Sequence, residues 1–278
     1  MWGTGYAILT GMKSAKAVGV AGYTILEVMI VLVVTGGLFA SVAAMLSGKQ
    51  ATTEFNQAVR DYEAKIQATA SDVATGFYST GTFSCSVSGP GPVTFAPAPV
   101  SLPGTNKGCL FLGKMLATGA LSTDIFTLAG RQYKPDNITD IETLADASAR
   151  AVYSPVDITE PYTNKFSMMI KNVYTIPGNV SIGGFGFISE LSGANGAGSP
   201  DTGSRGVLLY GLTGTTSPNA NNRAANAALI NAGVTPEPTG VRVCLWDGGN
   251  HKGEITVGDN GSQTTTEVTF DNGVSPVC

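Results

Sequence analysis

From Val28 to Leu46 the chain carries no charged side chain. The apolar run, residues 28–47, is about twenty residues long, enough for a helix to cross about 30 Å of hydrocarbon. It is rich in β-branched residues, yet in lipid the backbone must satisfy its own hydrogen bonds, so a helix is expected. Lys49 then marks the water interface. Beyond it the pattern changes: Phe55, Val59, Tyr62, Ile66, Val73 and Phe77 recur at helical spacing, with Glu54, Arg60, Asp61, Glu63, Lys65 and Asp72 around them. The pattern predicts one helix of about fifty residues, about 75 Å at 1.5 Å per residue. Its first half is lipid-like and its second half amphipathic, with a stripe that must lie on the rest of the chain. One residue breaks the logic. Glu27 stands at the head of the apolar run, where an acidic residue deep in a membrane helix costs about 2.5–3.5 kcal/mol.

The remainder reads as β-rich. "GVLLYGL" (206–212) and "GVRVCLWDG" (240–248) have the composition of buried strands, and "GEITVGDNGSQTTTEVTF" (253–270) that of a hairpin around a Gly/Asn/Ser turn. "NRAANAALINAG" (222–233) is a short helix closed by Gly233. "SGPGPVTFAPAPVSLPG" (88–104) and "SGANGAGSPDTGS" (192–204) read as loops. The fold class expected is α+β: a long N-terminal helix over residues 23–80, its second half packed on a C-terminal antiparallel β-sheet within a domain spanning 81–278, with long Gly/Pro-rich loops.

Composition narrows the function classes. Charged residues make up 13% of the 278 and hydrophobic ones 43%, so the chain can bury a core. A net charge of −4 offers no basic stripe for phosphates, and no specific nucleic-acid binding is indicated. Cys85, Cys109, Cys244 and Cys278 form no CxxC motif, which argues against zinc or redox chemistry. Behind a membrane-targeting element, an even number of spaced cysteines indicates disulfides. Three pairings are possible, and loop-closure entropy mildly favours Cys85–Cys109 with Cys244–Cys278.

The segment before the helix answers the question Glu27 raises. In an ordinary signal peptide the small-residue cleavage site follows the apolar core. Here "GVAG" precedes it, behind Lys13 and Lys16, and Met12 is the expected translation start. "AG/YTILE" followed by an apolar helix resembles the processing site of type IV pilins and the related pseudopilins of type II secretion and DNA-uptake machines. The resemblance covers about a fifth of the chain. It implies that residues 1–22 are a leader removed by a prepilin peptidase after Gly22, that Tyr23 becomes an N-methylated terminus, and that Glu27 pairs with the terminal amine of a neighbouring subunit. Gly36 and Gly37 match the family's weak point in the helix, whereas Ala44 stands where many members have proline.

The resemblance further implies a helical homopolymer of this chain with related pilins, served by an assembly ATPase and platform proteins. The precursor would sit in the cytoplasmic membrane as a single-pass protein and end in an extracellular filament. Adhesion, twitching motility, DNA uptake and secretion are all tasks of such filaments. A minor pilin or pseudopilin is the alternative within the class, and a non-polymerising membrane-anchored binding protein the alternative outside it.

No enzyme, cofactor or metal is expected. His251, the only histidine, lies in a turn-like "DGGNHKGE" and reads as solvated; no HExxH, GxSxG or phosphate-binding loop is present. Asp247, Glu254 and Asp259 lie near glycines but depart from EF-hand spacing. Tyr62, Phe77, Tyr78 and Trp246 read as packing residues. The leader reading makes a direct prediction. Gly22→Val should block processing, because a β-branched residue resists the extended backbone a peptidase cleft needs. Immunoblots should show uncleaved precursor in the membrane and no fibres; normal processing would mean the cut is elsewhere.

Overall fold

The computed structural model describes residues 22–76, 83–87, 93–97, 109–134, 136, 139–191, 206–216, 218–219, 221–237, 239–258, 263–270 and 278. The expected leader (1–22) apart from Gly22, together with Phe77, Tyr78, Asp259 and the 192–204 segment, lies outside them. The chain divides into two compact units, residues 1–50 and 51–278, with the boundary inside helix α1 (Ile25–Thr75).

In the first unit α1 begins where the Thr24 carbonyl accepts the Glu27 and Val28 N–H groups at 3.0 and 3.2 Å. The described side chains that follow are exposed on every side of the helix, including Val33 (74%) and Phe39 (82%). The hydroxyls of Thr35 and Ser41 donate back to the Val31 and Leu38 carbonyls at 2.7 and 2.8 Å. The helix thus satisfies these polar groups within itself, as a lipid environment demands. Its most apolar stretch has a mean hydropathy of 2.4, long and apolar enough to cross a membrane.

In the second unit, β1 (Phe83–Val87) and β2 (Val93–Pro97) form an antiparallel ribbon. The long hairpin β3 (Cys109–Thr118) and β4 (Ser122–Arg131) follows, then the one-turn helix α2 (Leu144–Ala147), β5 (Arg150–Ala151) and β6 (Glu160–Thr163). β7 (Met169–Thr175), β8 (Ser181–Ile182), β9 (Gly184–Ser189) and β10 (Val207–Leu212) lead to α3 (Arg223–Ala232). The strands β11 (Thr235–Pro236), β12 (Val241–Trp246), β13 (Lys252–Val257) and β14 (Thr266–Phe270) come last. They build two antiparallel sheets: β11-β10-β9-β3-β4-β5 with β6 also on β4, and β14-β13-β12-β7-β8.

The second-half stripe of α1 lies in the main core. Phe55, Val59, Tyr62, Ile66 and Val73 are buried together with Phe185 and Phe187 of the larger sheet and Val243, Leu245 and Ile255 of the smaller one. A second core covers the larger sheet with α2 and α3, joining Leu112, Met115, Phe126 and Leu128 to Ala147, Ala227 and Ile230. This sheet is therefore covered on both faces. β9 is buried at every position, which erases the alternation a one-sided strand would show. Its approach to β3 is close: a Cβ at Gly113 or Gly186 would collide with the backbone of the other strand.

The fold is α+β, with a long apolar N-terminal helix and largely antiparallel sheets. One loop expectation is corrected. Within 88–104, residues Val93–Pro97 form β2, because Val93 and Phe95 alternate into a small core with Ala129 and Val152 and the ladder to β1 is complete. Packing and pairing override the Pro/Gly composition. The cysteines pair as Cys85–Cys109 and Cys244–Cys278, with Cα separations of 5.9 and 5.4 Å.

The two halves of α1 should respond differently to truncation. Ile66→Ala should destabilise the second unit by about 2–5 kcal/mol, since the side chain is fully buried. Ile30→Ala, at an exposed position, should leave its melting temperature in detergent unchanged. Equal effects on that temperature would contradict the division.

Candidate functional site

Tyr23 and Glu27 flank the first turn of α1. Tyr23 is 79% exposed and Glu27 is exposed, its backbone N–H also reaching the Thr24 hydroxyl at 3.4 Å. Glu27 is the only Asp, Glu, Lys or Arg between Gly22 and Leu46, and no hydrogen bond or ion pair engages its carboxylate among the described residues. Gly36 and Gly37 lie inside the continuous helix with nothing within 4 Å of where a Cβ would stand. Helix geometry continues through Ala44. An ionised group on a helix apolar all round needs a counter-charge wherever water is excluded.

In the second unit, polar groups fasten α1 to the sheets. The Lys114 ammonium, buried in β3, donates to Asp72 of α1 at 2.9 Å and to Glu160 of β6 at 2.7 Å. Burial alone would lower its pKa, but these two carboxylates outweigh that and hold it above the ordinary lysine value. Lys65 adds a 3.2 Å pair to Glu160. The Asp61 carboxylate accepts from the Tyr162 hydroxyl at 2.6 Å and from Lys165 at 2.9 Å, which hold its carboxyl below the usual range. The Tyr62 hydroxyl, fully buried, meets Thr123 at 3.2 Å. Lys114 was not legible as a site residue. Its one signal is a lysine inside the apolar run "CLFLGKMLAT", a position that requires a buried partner.

His251 corrects the expectation of a solvated side chain. Its Nδ1 lies 2.5 Å from Asp247 Oδ2 and its Nε2 3.0 Å from the Thr52 hydroxyl, while the ring stacks on Phe55 at 5.9 Å between centroids. Burial pushes the Asp247 carboxyl up, but His251 and the backbone N–H groups of Gly249 and His251 outweigh it and hold it low. An aspartate–histidine–hydroxyl series also serves nucleophilic catalysis. Here the hydroxyl belongs to a threonine within a continuous helix, and the arrangement fastens the 247–251 turn to α1. Of the acidic residues near glycines, Asp247 is engaged with His251 and Glu254 with Arg242 at 2.8 Å. No group of three or more His, Cys, Asp or Glu side chains converges among the described residues. Trp246 is half-buried and donates its indole N–H to the Gly249 carbonyl at 2.8 Å.

No protein-family model, curated protein or solved structure matches the chain.

Asp61 makes a signed pH prediction. Its folded pKa is depressed, so its stabilisation is present above the unfolded value of about 3.9 and is lost as pH falls through the lower folded value. The melting-temperature gap between wild type and Asp61→Asn should be full at pH 7 and shrink steadily below about pH 4. A gap that widened on acidification would contradict the assignment.

Proposed function

We propose that this chain is a structural subunit of a type IV pilus-like filament, cleaved after Gly22, N-methylated on Tyr23 and assembled through the first half of α1. The observation that carries the reading is the combination at the head of that helix. A lone carboxylate, Glu27, sits four residues beyond the proposed new terminus, and the described side chains of the apolar segment behind it are exposed all round. Such a segment must be covered by lipid or by other helices.

Cleavage after Gly22 would place an amine cation beside the apolar surface. The Glu27 carboxylate of an adjacent copy could neutralise it, and an unpaired charge in a helix bundle is strongly penalised. The pairing therefore selects one axial offset between neighbours, which is the property a helical polymer needs. The acidic residue that is unfavourable in a solitary membrane helix becomes an assembly register.

Glu27→Ala separates residence from assembly. Membrane abundance should be normal or raised and the leader cleaved, because removing the carboxylate relieves a cost of up to about 3 kcal/mol. Surface filaments should be lost, and co-expression with wild type should partly restore incorporation. Wild-type numbers of fibres from the variant alone would defeat the register argument.

A further inference from the structure

An open groove of about 460 Å³ lies in the second unit between β2, the segment 150–154 and α3. Its volume falls within the roughly 300–1,000 Å³ of small-ligand sites. The α3 wall is low because Ala224, Ala227 and Ala228 share one helix face. Phe95 and Tyr153 supply aromatic surface. α3 is held in place by Arg223 on its first turn, whose guanidinium lies 3.5 Å from Asp124 of β4 and 3.1 Å from Asp157.

The polar groups around the groove are poised and unspent. Arg150 is exposed and, unlike Arg223 and Arg242, has no carboxylate partner among the described residues. The Tyr153 and Ser154 hydroxyls likewise have no hydrogen-bond partner among them. Asn231 accepts the Ala151 N–H through Oδ1 at 2.8 Å, which fixes the amide and leaves its NH₂ as a donor.

We propose that this groove binds a carboxylated sugar ring. The guanidinium fork of Arg150 matches a carboxylate in two parallel hydrogen bonds. The hydroxyls of Tyr153 and Ser154 and the Asn231 amide offer the mixture of donors and acceptors that ring hydroxyls require. The apolar C–H face of the ring packs on the alanine methyls and the aromatic surface. A simple carboxylate would use Arg150 and leave the rest of the groove empty, and a neutral sugar would leave the cation unpaired.

Binding at this groove does not depend on filament assembly, so the full chain in detergent micelles is the sample. Sodium glucuronate, glucose and acetate are titrated by ligand-observed NMR. Glucuronate should saturate, with glucose and acetate each at least about tenfold weaker, a difference of about 1.4 kcal/mol. Arg150→Gln should reduce glucuronate affinity about tenfold, and Ala228→Trp, a filling change at an exposed position, should abolish it, both with unchanged melting temperature. The proposal is overturned by absence of saturable glucuronate binding, by equal binding of acetate or of glucose, or by unchanged affinity in either variant.

Discussion

An apolar helix surface has to be covered, and among the described residues α1 is covered over only part of its length. From Phe55 to Val73 a stripe of side chains is buried among residues of both sheets, whereas Ile25, Val33 and Phe39 are open to their surroundings. The first requirement is met by the fold, and it organises the second unit: two sheets share one core with the helix stripe. The second requirement is not met by the described chain. In the proposed filament, a hydrocarbon bilayer followed by the helices of neighbouring copies would meet it in turn.

Charge placement follows the same division. In the second unit, ionised groups near the core have partners that belong to the fold: Lys114 between Asp72 and Glu160, Asp61 between Tyr162 and Lys165. Removing the partners of Lys114 would leave a buried charge uncompensated, so these contacts help fix how residues 51–75 of α1 lie on the sheets. Glu27 is the exception, an acidic residue whose carboxylate has no described partner on a stretch otherwise uncharged from Gly22 to Leu46. In the proposed filament its partner is the Tyr23 amine of another copy.

The stripe on α1, β10, β12, the β13–β14 pair and α3 closed by Gly233 were legible because each rests on local signals: helical spacing, β-branched runs between glycines, a turn, a C-terminal glycine. The β3–β4 hairpin and β9 were not, since a sheet covered on both faces has no alternation to read. β2 was hidden by the prolines around it and exists through its partner strand and a small tertiary core. Of the proposed site, Gly22, Tyr23 and Glu27 stand out in the sequence because the motif is contiguous. The Thr52–His251–Asp247 cluster and the groove around Arg150 were not, because they join residues far apart in sequence whose proximity only the fold creates.

The central claim is that the chain matures by losing residues 1–22 and then polymerises through the new terminus. The mass of the N-terminal peptide of this protein, taken from fibres sheared off the cell surface, tests it most directly. The account predicts a peptide beginning at Tyr23 and heavier by one N-methyl group. A peptide from fibres that still carries Met1 or Met12, or the absence of this chain from sheared material, would contradict it.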